Sequence, residues 1–111
     1  MLPKIADAVG NDIEVMFDGG IRSGQDLFRA LALGARSCLI GRAYIYGLGA
    51  LGKEGVKTAI EVIRKELDIT MALTGVTKIA DINRSTLATE TIPEETHVLE
   101  LADTRKVAGG R

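Results

Sequence analysis

Residues 14–26 have the sequence EVMFDGGIRSGQD, in which a short apolar run leads into a glycine turn and then a helix start. The run that ends at Phe17 predicts a strand, because the turn-forming residues Asp-Gly-Gly follow it directly. Ser23 followed by Asp26 three positions later is the pattern of a helix N-cap. A helix is therefore expected over about 24–33, with Gly34 as its C-terminal cap.

A second apolar run, SCLIGR at residues 37–42, also ends at glycine and arginine. Residues 14–41 then form one strand-helix-strand unit, close to the ~30 residues that such a unit needs. The sequence thus predicts an α/β protein with parallel strands near 14–17 and 37–40.

Helical periodicity predicts further helices on both sides of this unit. One precedes it and stops at Gly10, a long amphipathic one covers about 54–73 and continues to Gly75, and a short one lies within 77–83. Two strands cannot close a parallel barrel, which takes eight, and parallel strands need cover on both faces. The chain is therefore expected to be part of something larger.

Composition excludes several functional classes. The net charge of -1 and the 4% aromatic content argue against a nucleic-acid or anionic-membrane surface and against base stacking. A single cysteine, Cys38, rules out an intrachain disulfide and favours a reducing compartment. No apolar run approaches the ~20 residues that span a bilayer, and no signal-peptide pattern is present. We expect a cytoplasmic protein, and no residue cluster has metal-ligand spacing.

The chemistry is expected where the two strands end. The carboxyl ends of parallel strands lie side by side, so two glycine turns and two arginines should converge. The residues concerned are Asp18, Gly19, Gly20, Ile21, Arg22, Gly41 and Arg42. Glycine lets backbone N–H groups approach an anion, and the guanidinium fork matches phosphate oxygens. The helix that begins near Ser23 would add the positive end of its dipole. The pattern predicts a phosphate site, with Asp18 either a turn residue or an acceptor for a sugar-like hydroxyl.

These motifs closely resemble those of the FMN-dependent α-hydroxy acid dehydrogenases. The matching motifs are FDGGIRSGQD at 17–26, ALALGA at 30–35, IGRA at 40–43, YGL at 46–48, TMALTG at 70–75 and INR at 82–84. The resemblance covers roughly residues 1–87. Residues 78–83 and the long tail are similar to bacterial lactate dehydrogenases more than to plant oxidases.

The resemblance implies a TIM (β/α)8 barrel, of which residues 1–87 would supply the last two βα units and residues 88–111 the C-terminal tail. Residues Asp18 to Arg22 would contact the ribityl-phosphate arm of FMN, and Gly41 and Arg42 would hold its phosphate. The complete enzyme would oxidise an L-2-hydroxy acid, with L-lactate preferred, and pass hydride to FMN. It would be a homo-oligomer, and peripheral attachment to the inner membrane stays open.

The catalytic base is expected elsewhere. In the family it is a histidine in a Ser-x-His-Gly-x-Arg motif, which does not occur in this sequence. We therefore assign no catalytic residue and expect the chain alone to be inactive. His97 is interpreted as a solvated tail residue, Cys38 as a small core side chain, and Tyr44 and Tyr46 as packing residues.

Two other interpretations stay open. Type 2 isopentenyl diphosphate isomerases have a similar Gly-Gly-Ile-Arg turn, although the continuation GRAYIYGL at 41–48 favours the dehydrogenases. The third is a half-barrel without catalysis that binds a phosphate ligand or only assembles. The choice of acid and the electron acceptor depend on residues outside this sequence.

Overall fold

The computed structural model describes residues 1–88. The helices and strands in chain order are α1 (Leu2–Val9), β1 (Met16–Asp18), α2 (Gly24–Ala32), β2 (Ser37–Leu39) and α3 (Arg42–Thr74), followed by 3-10 turns at Ile79–Asp81 and Arg84–Thr86. The two strands and the helix between them lie where the sequence predicts them, although Glu14 and Val15 precede β1 instead of belonging to it. The predictions for His97 and for residues 89–111 of the tail concern residues outside the described part.

The two strands are parallel neighbours, as predicted. Met16 pairs with Ser37, Phe17 with Cys38 and Asp18 with Leu39, so both strands end at the same edge. The return connection is α2, which crosses over the sheet in the manner that parallel pairing requires. This register places the turn after β1 beside the turn after β2.

The start of α2 has the capping arrangement that the sequence indicates. The Asp26 amide donates to Oγ of Ser23 at 3.1 Å, and the Ser23 hydroxyl donates to Oδ2 of Asp26 at 2.9 Å. Each residue satisfies a polar group of the other, as in a capping box. The helix ends at Ala32, and Gly34 follows with a φ of 105°, a conformation that favours glycine.

The long helix predicted over about 54–73 corresponds to the part of α3 that follows a kink, and it ends at Thr74 before Gly75, as expected. The sequence analysis missed the helical segment before the kink, which begins at Arg42. Leu51 and Gly52 have non-helical angles, so α3 consists of a short first segment and a long second segment joined by a kink. A methyl group on Gly47 or Gly55 would collide with the backbone of the other. The two segments therefore pack backbone against backbone, which only glycines at the contact allow.

The buried side chains lie between the helices and one face of the sheet. One cluster joins α2 to α3, and the other joins α2 to α1 and the strands. Their members are Phe28, Ala32, Leu67, Met71 and Ile82 in the first, and Leu2, Ile21, Ala30 and Ala35 in the second. On the opposite face of the sheet, Met16 is 61% exposed and Leu39 44% exposed. One face of the sheet is thus covered within residues 1–88 and the other is open.

Candidate functional site

A cavity of about 300 Å³ lies at the edge where both strands end. Its lining consists of Asp18, Gly19, Gly20, Ile21, Arg22, Leu39, Gly41, Arg42 and Ile45. All seven residues that the sequence analysis selected therefore surround one space. The parallel register explains this, because it aligns the residues that follow Asp18 with those that follow Leu39.

Sequence reasoning missed two lining residues, Leu39 and Ile45. Leu39 is the last residue of β2, and its partner Asp18 was selected. Ile45 lies three positions after Arg42 on α3, and residues so spaced share a helix face. Helical periodicity could have found Ile45 if the glycine-rich stretch after Gly41 had been recognised as a helix.

The turn after β1 depends on its two glycines. Gly19 has a φ of 144° and Gly20 a φ of 71°, which residues with a Cβ rarely adopt. A methyl group on Gly20 would meet no atom within 4 Å. Gly20 is therefore required by its backbone conformation, because a larger side chain would have room. The turn brings main-chain atoms to the cavity with no side chain in front of them.

Some of the arginines in residues 1–88 form ion pairs, and the two arginines of the cavity do not. Three ion pairs to arginine occur there, at 3.4 Å for Arg29–Asp26, 3.7 Å for Arg36–Glu14 and 2.6 Å for Arg84–Asp7. Arg22 and Arg42 are exposed and form no ion pair with any carboxylate in that range. Two guanidinium groups that form no ion pair thus line a single cavity, which suits an anionic ligand even though one carboxylate, that of Asp18, is also in the lining.

The helix start that lies on the cavity wall is that of α3, whereas the sequence analysis named the start of α2. Neither Ser23 nor Gly24 lines the cavity. Two of the first three amides of α2 are already engaged, since Gly24 donates to Oε2 of Glu66 at 2.8 Å and Asp26 donates to Ser23. By contrast, α3 starts at Arg42 on the cavity wall, and its N-cap Gly41 has no side chain to cap it. The first N–H groups of α3 are the ones placed to meet a ligand.

Asp26 holds the turn that carries Arg22, between β1 and α2. Oδ2 of Asp26 accepts from the Arg22 amide at 3.2 Å as well as from the Ser23 hydroxyl. The hydrogen bond from Ser23 lowers the pKa of Asp26 most, and the Arg22 amide and Arg29 lower it further, while burial partly opposes them. The carboxylate therefore stays charged at neutral pH and holds the turn.

Cys38, Tyr44 and Tyr46, which the sequence analysis also considered, do not line the cavity. Cys38 is half-buried, and burial raises the pKa of its thiol, as suits a packed side chain. Tyr44 and Tyr46 are 38% and 69% exposed and do not line the cavity. No helix in residues 1–88 is long and apolar enough to cross a membrane.

Known proteins match this chain over most of its length. The family model described as FMN-dependent dehydrogenase matches residues 1–89. An L-lactate dehydrogenase of Caulobacter vibrioides is 55% identical over 92 residues, which are 83% of this chain and 24% of that protein. The chain thus spans about a quarter of the length of the curated relatives it matches.

Solved structures are similar over the same part. A structure titled as the monotopic membrane protein (S)-mandelate dehydrogenase has a TM-score of 0.77 and 36% identity, and the match covers 81% of this chain and 24% of that one. A mandelate oxidase variant with a monooxide FMN adduct has a TM-score of 0.72 and 40% identity, with 76% of this chain and 27% of that one covered.

Proposed function

The chain belongs to the FMN-dependent dehydrogenase family, and on that premise we propose that it forms the flavin-phosphate end of a (β/α)8 barrel that oxidises an L-2-hydroxy acid. We assign β1 and β2 to the last two strands of that barrel, within residues 1–87, and residues 88–111 to its tail. L-lactate is the proposed substrate, because the similar Caulobacter protein bears that name. The isomerase alternative loses support, since the similar proteins are named as dehydrogenases and oxidases.

One observation carries the proposal: two unpaired guanidinium groups, two glycine turns and a helix start line the same cavity. These donors fit a phosphate group, which needs several N–H donors and positive charge. Phosphate sites in (β/α)8 barrels commonly use the last two strand ends and the start of a short extra helix. The first segment of α3, before its kink, corresponds to such a helix.

The roles of the lining residues follow from their chemistry. Arg22 and Arg42 would bind the phosphate oxygens, and the backbones of Gly19, Gly20 and Gly41 would approach them closely. Asp18 is also in the lining, and its carboxylate would repel a phosphate. We therefore assign Asp18 to a hydroxyl of the ribityl arm, to which it can serve as acceptor.

When bound, FMN supplies the acceptor for the hydride from the substrate α-carbon. The residues of this chain bind and orient the phosphate end of that cofactor. The proton of the substrate hydroxyl needs a base within hydrogen-bond reach. We propose that this base belongs to the rest of the barrel, as do the substrate-binding side chains. A homo-oligomer in the cytoplasm or at the inner membrane completes the proposal, with the acid itself as the small-molecule partner.

The arginines provide the test. Two charge-assisted bonds of about 1.5–3 kcal/mol each give the 111-residue chain a Kd for inorganic phosphate in the range of about 1 mM. Phosphorus NMR titration should show this binding, and Arg42→Ala should weaken it by about tenfold or more. The matched control is Arg64→Ala, which removes an exposed arginine of α3 away from the cavity. Equal affinities of the two variants would refute the site.

An intact relative gives the corresponding test on the flavin. In the Caulobacter enzyme, alanine at the counterpart of Arg42 should lower FMN affinity by more than tenfold and leave the affinity for riboflavin, which lacks the phosphate, unchanged.

A separate test distinguishes an enzyme from the half-barrel without catalysis. A Ser-x-His-Gly-x-Arg motif in coding sequence before Met1 would support an enzyme, and its absence would favour the half-barrel without catalysis.

A further inference from the structure

The turn that carries Arg22 is held by a carboxylate from outside its own helix. The Gly24 amide donates a hydrogen bond of 2.8 Å to Oε2 of Glu66, which lies on α3, 42 residues along the chain. Gly24 is buried and Glu66 is half-buried. A hydrogen bond to a charged acceptor that is partly shielded from water is stronger than a neutral one.

The backbones of α2 and α3 touch at this bond. A methyl group on Gly24 would collide with backbone atoms of Ile63, Glu66 and Leu67. On the other side of the turn, Asp26 accepts from the Arg22 amide. Residues 22–24 are therefore fixed between a local carboxylate and one that α3 supplies.

The helix that carries Glu66 also carries the second cation of the cavity. Arg42 is the first residue of α3, and the close packing of Gly47 on Gly55 joins its first segment to the segment that bears Glu66. The strand pair connects Arg22 to Arg42 through the sheet. The bond between Glu66 and Gly24 makes a second connection through the helices.

Resting on the proposed function, we propose that Glu66 is a positioning residue of the phosphate site, holding the Arg22 turn in register with Arg42. Glu66 does not line the cavity, so it acts through the Gly24 backbone and is not a ligand. The Glu66 carboxylate is negative, so direct contact with a phosphate would oppose binding. Glu66 is therefore expected to raise phosphate affinity only through the position of Arg22.

The first measurement compares two glutamates of α3 in the 111-residue chain, with inorganic phosphate as the probe. Glu66→Ala should weaken phosphate binding by about fivefold, the lower end of typical coupling between sites. Glu61→Ala is the control, because Glu61 is exposed and forms no hydrogen bond within residues 1–88 through its side chain. Glu66→Gln keeps an oxygen acceptor and should recover most of the loss.

A double-mutant cycle separates positioning from general support of the fold. In an Arg22→Ala background, Glu66→Ala should have no further effect on phosphate affinity, because the group it positions is gone. An equal loss in both backgrounds would overturn the proposal, and so would the absence of a loss in the wild-type background.

A readout without ligand keeps the two proposals distinguishable. Hydrogen exchange of the peptide that spans residues 19–26 should be faster in Glu66→Ala than in Glu61→Ala. If the wild-type chain binds no phosphate, the proposed function fails, and this exchange difference alone then supports the ordering of the turn by Glu66. Unchanged exchange in Glu66→Ala overturns the inference whatever the phosphate result.

Discussion

The starts of α2 and α3 both follow a parallel strand and a glycine. They differ in whether side chains of the chain itself accept hydrogen bonds from the first amides of the helix. At α2, the side chains of Ser23 and Glu66 accept from two of the first three amides, and Asp26 accepts from the Arg22 amide in the turn before them. At α3, the N-cap is Gly41, which offers no side chain, and the helix start faces a cavity with two unpaired arginines.

The difference shows how one geometry serves two purposes. A helix start that the chain satisfies with its own carboxylates is a structural joint. A helix start left without them, beside cations that lack partners in residues 1–88, is suited to an external anion. Sequence motifs that look equivalent at the two strand ends thus differ in what the chain itself supplies.

The largest expected effect concerns the start of α3, which is proposed to bind only the phosphate end of the cofactor. The purified 111-residue chain should be colourless and should not reduce a dye with L-lactate, because the flavin ring and the base need the rest of a barrel. It should elute as a dimer or larger, since Met16 and Leu39 expose apolar surface. Visible absorbance, dye reduction and size-exclusion chromatography check this, with the intact Caulobacter relative as control. A yellow, monomeric, active preparation would contradict the proposal.

A smaller effect concerns the start of α2, where Gly24 packs against α3. Gly24→Ala should lower the free energy of unfolding by about 3 kcal/mol, because the added methyl group meets the α3 backbone. The matched control is Gly49→Ala, in α3, where a methyl group has open space and should stabilise the helix by about 0.5–1 kcal/mol. Urea unfolding followed by circular dichroism measures both. If Gly24→Ala were as stable as Gly49→Ala, the close contact between the helices would be wrong.

The smallest effect is the pH dependence of the stability that Asp26 contributes at the start of α2. The pKa of Asp26 is lowered from 3.8 in the folded chain, so its charge adds stability above pH 3.8 that is lost as pH falls through the lowered pKa. Asp26→Asn should cost about 1 kcal/mol at pH 7, and the difference from wild type should shrink below pH 3.8. Unfolding at several pH values tests this, with Asp68→Asn, an exposed change on α3, as control. A difference that grows on acidification would reverse the assigned sign.

Sequence signals were reliable where they act within one helical turn. Ser23 and Asp26 lie three residues apart, and their capping of α2 is as expected. The start of α3 was missed because several glycines after Tyr44 disfavour a helix by their intrinsic propensity. The close packing of Gly47 on Gly55 overrides that propensity, and it becomes visible only in three dimensions.

The sequence by itself determined the two strands, the capped helix between them and the seven residues that meet at one edge. Glycine turns and N-caps are local, and parallel pairing through a crossover helix brings the strand ends together. Only the tertiary structure decided which helix start stays open to a ligand. That choice depends on Glu66, which meets Gly24 across 42 residues of chain. Contacts at such separation come from the packing of α3 on α2, and no pattern within either segment specifies them.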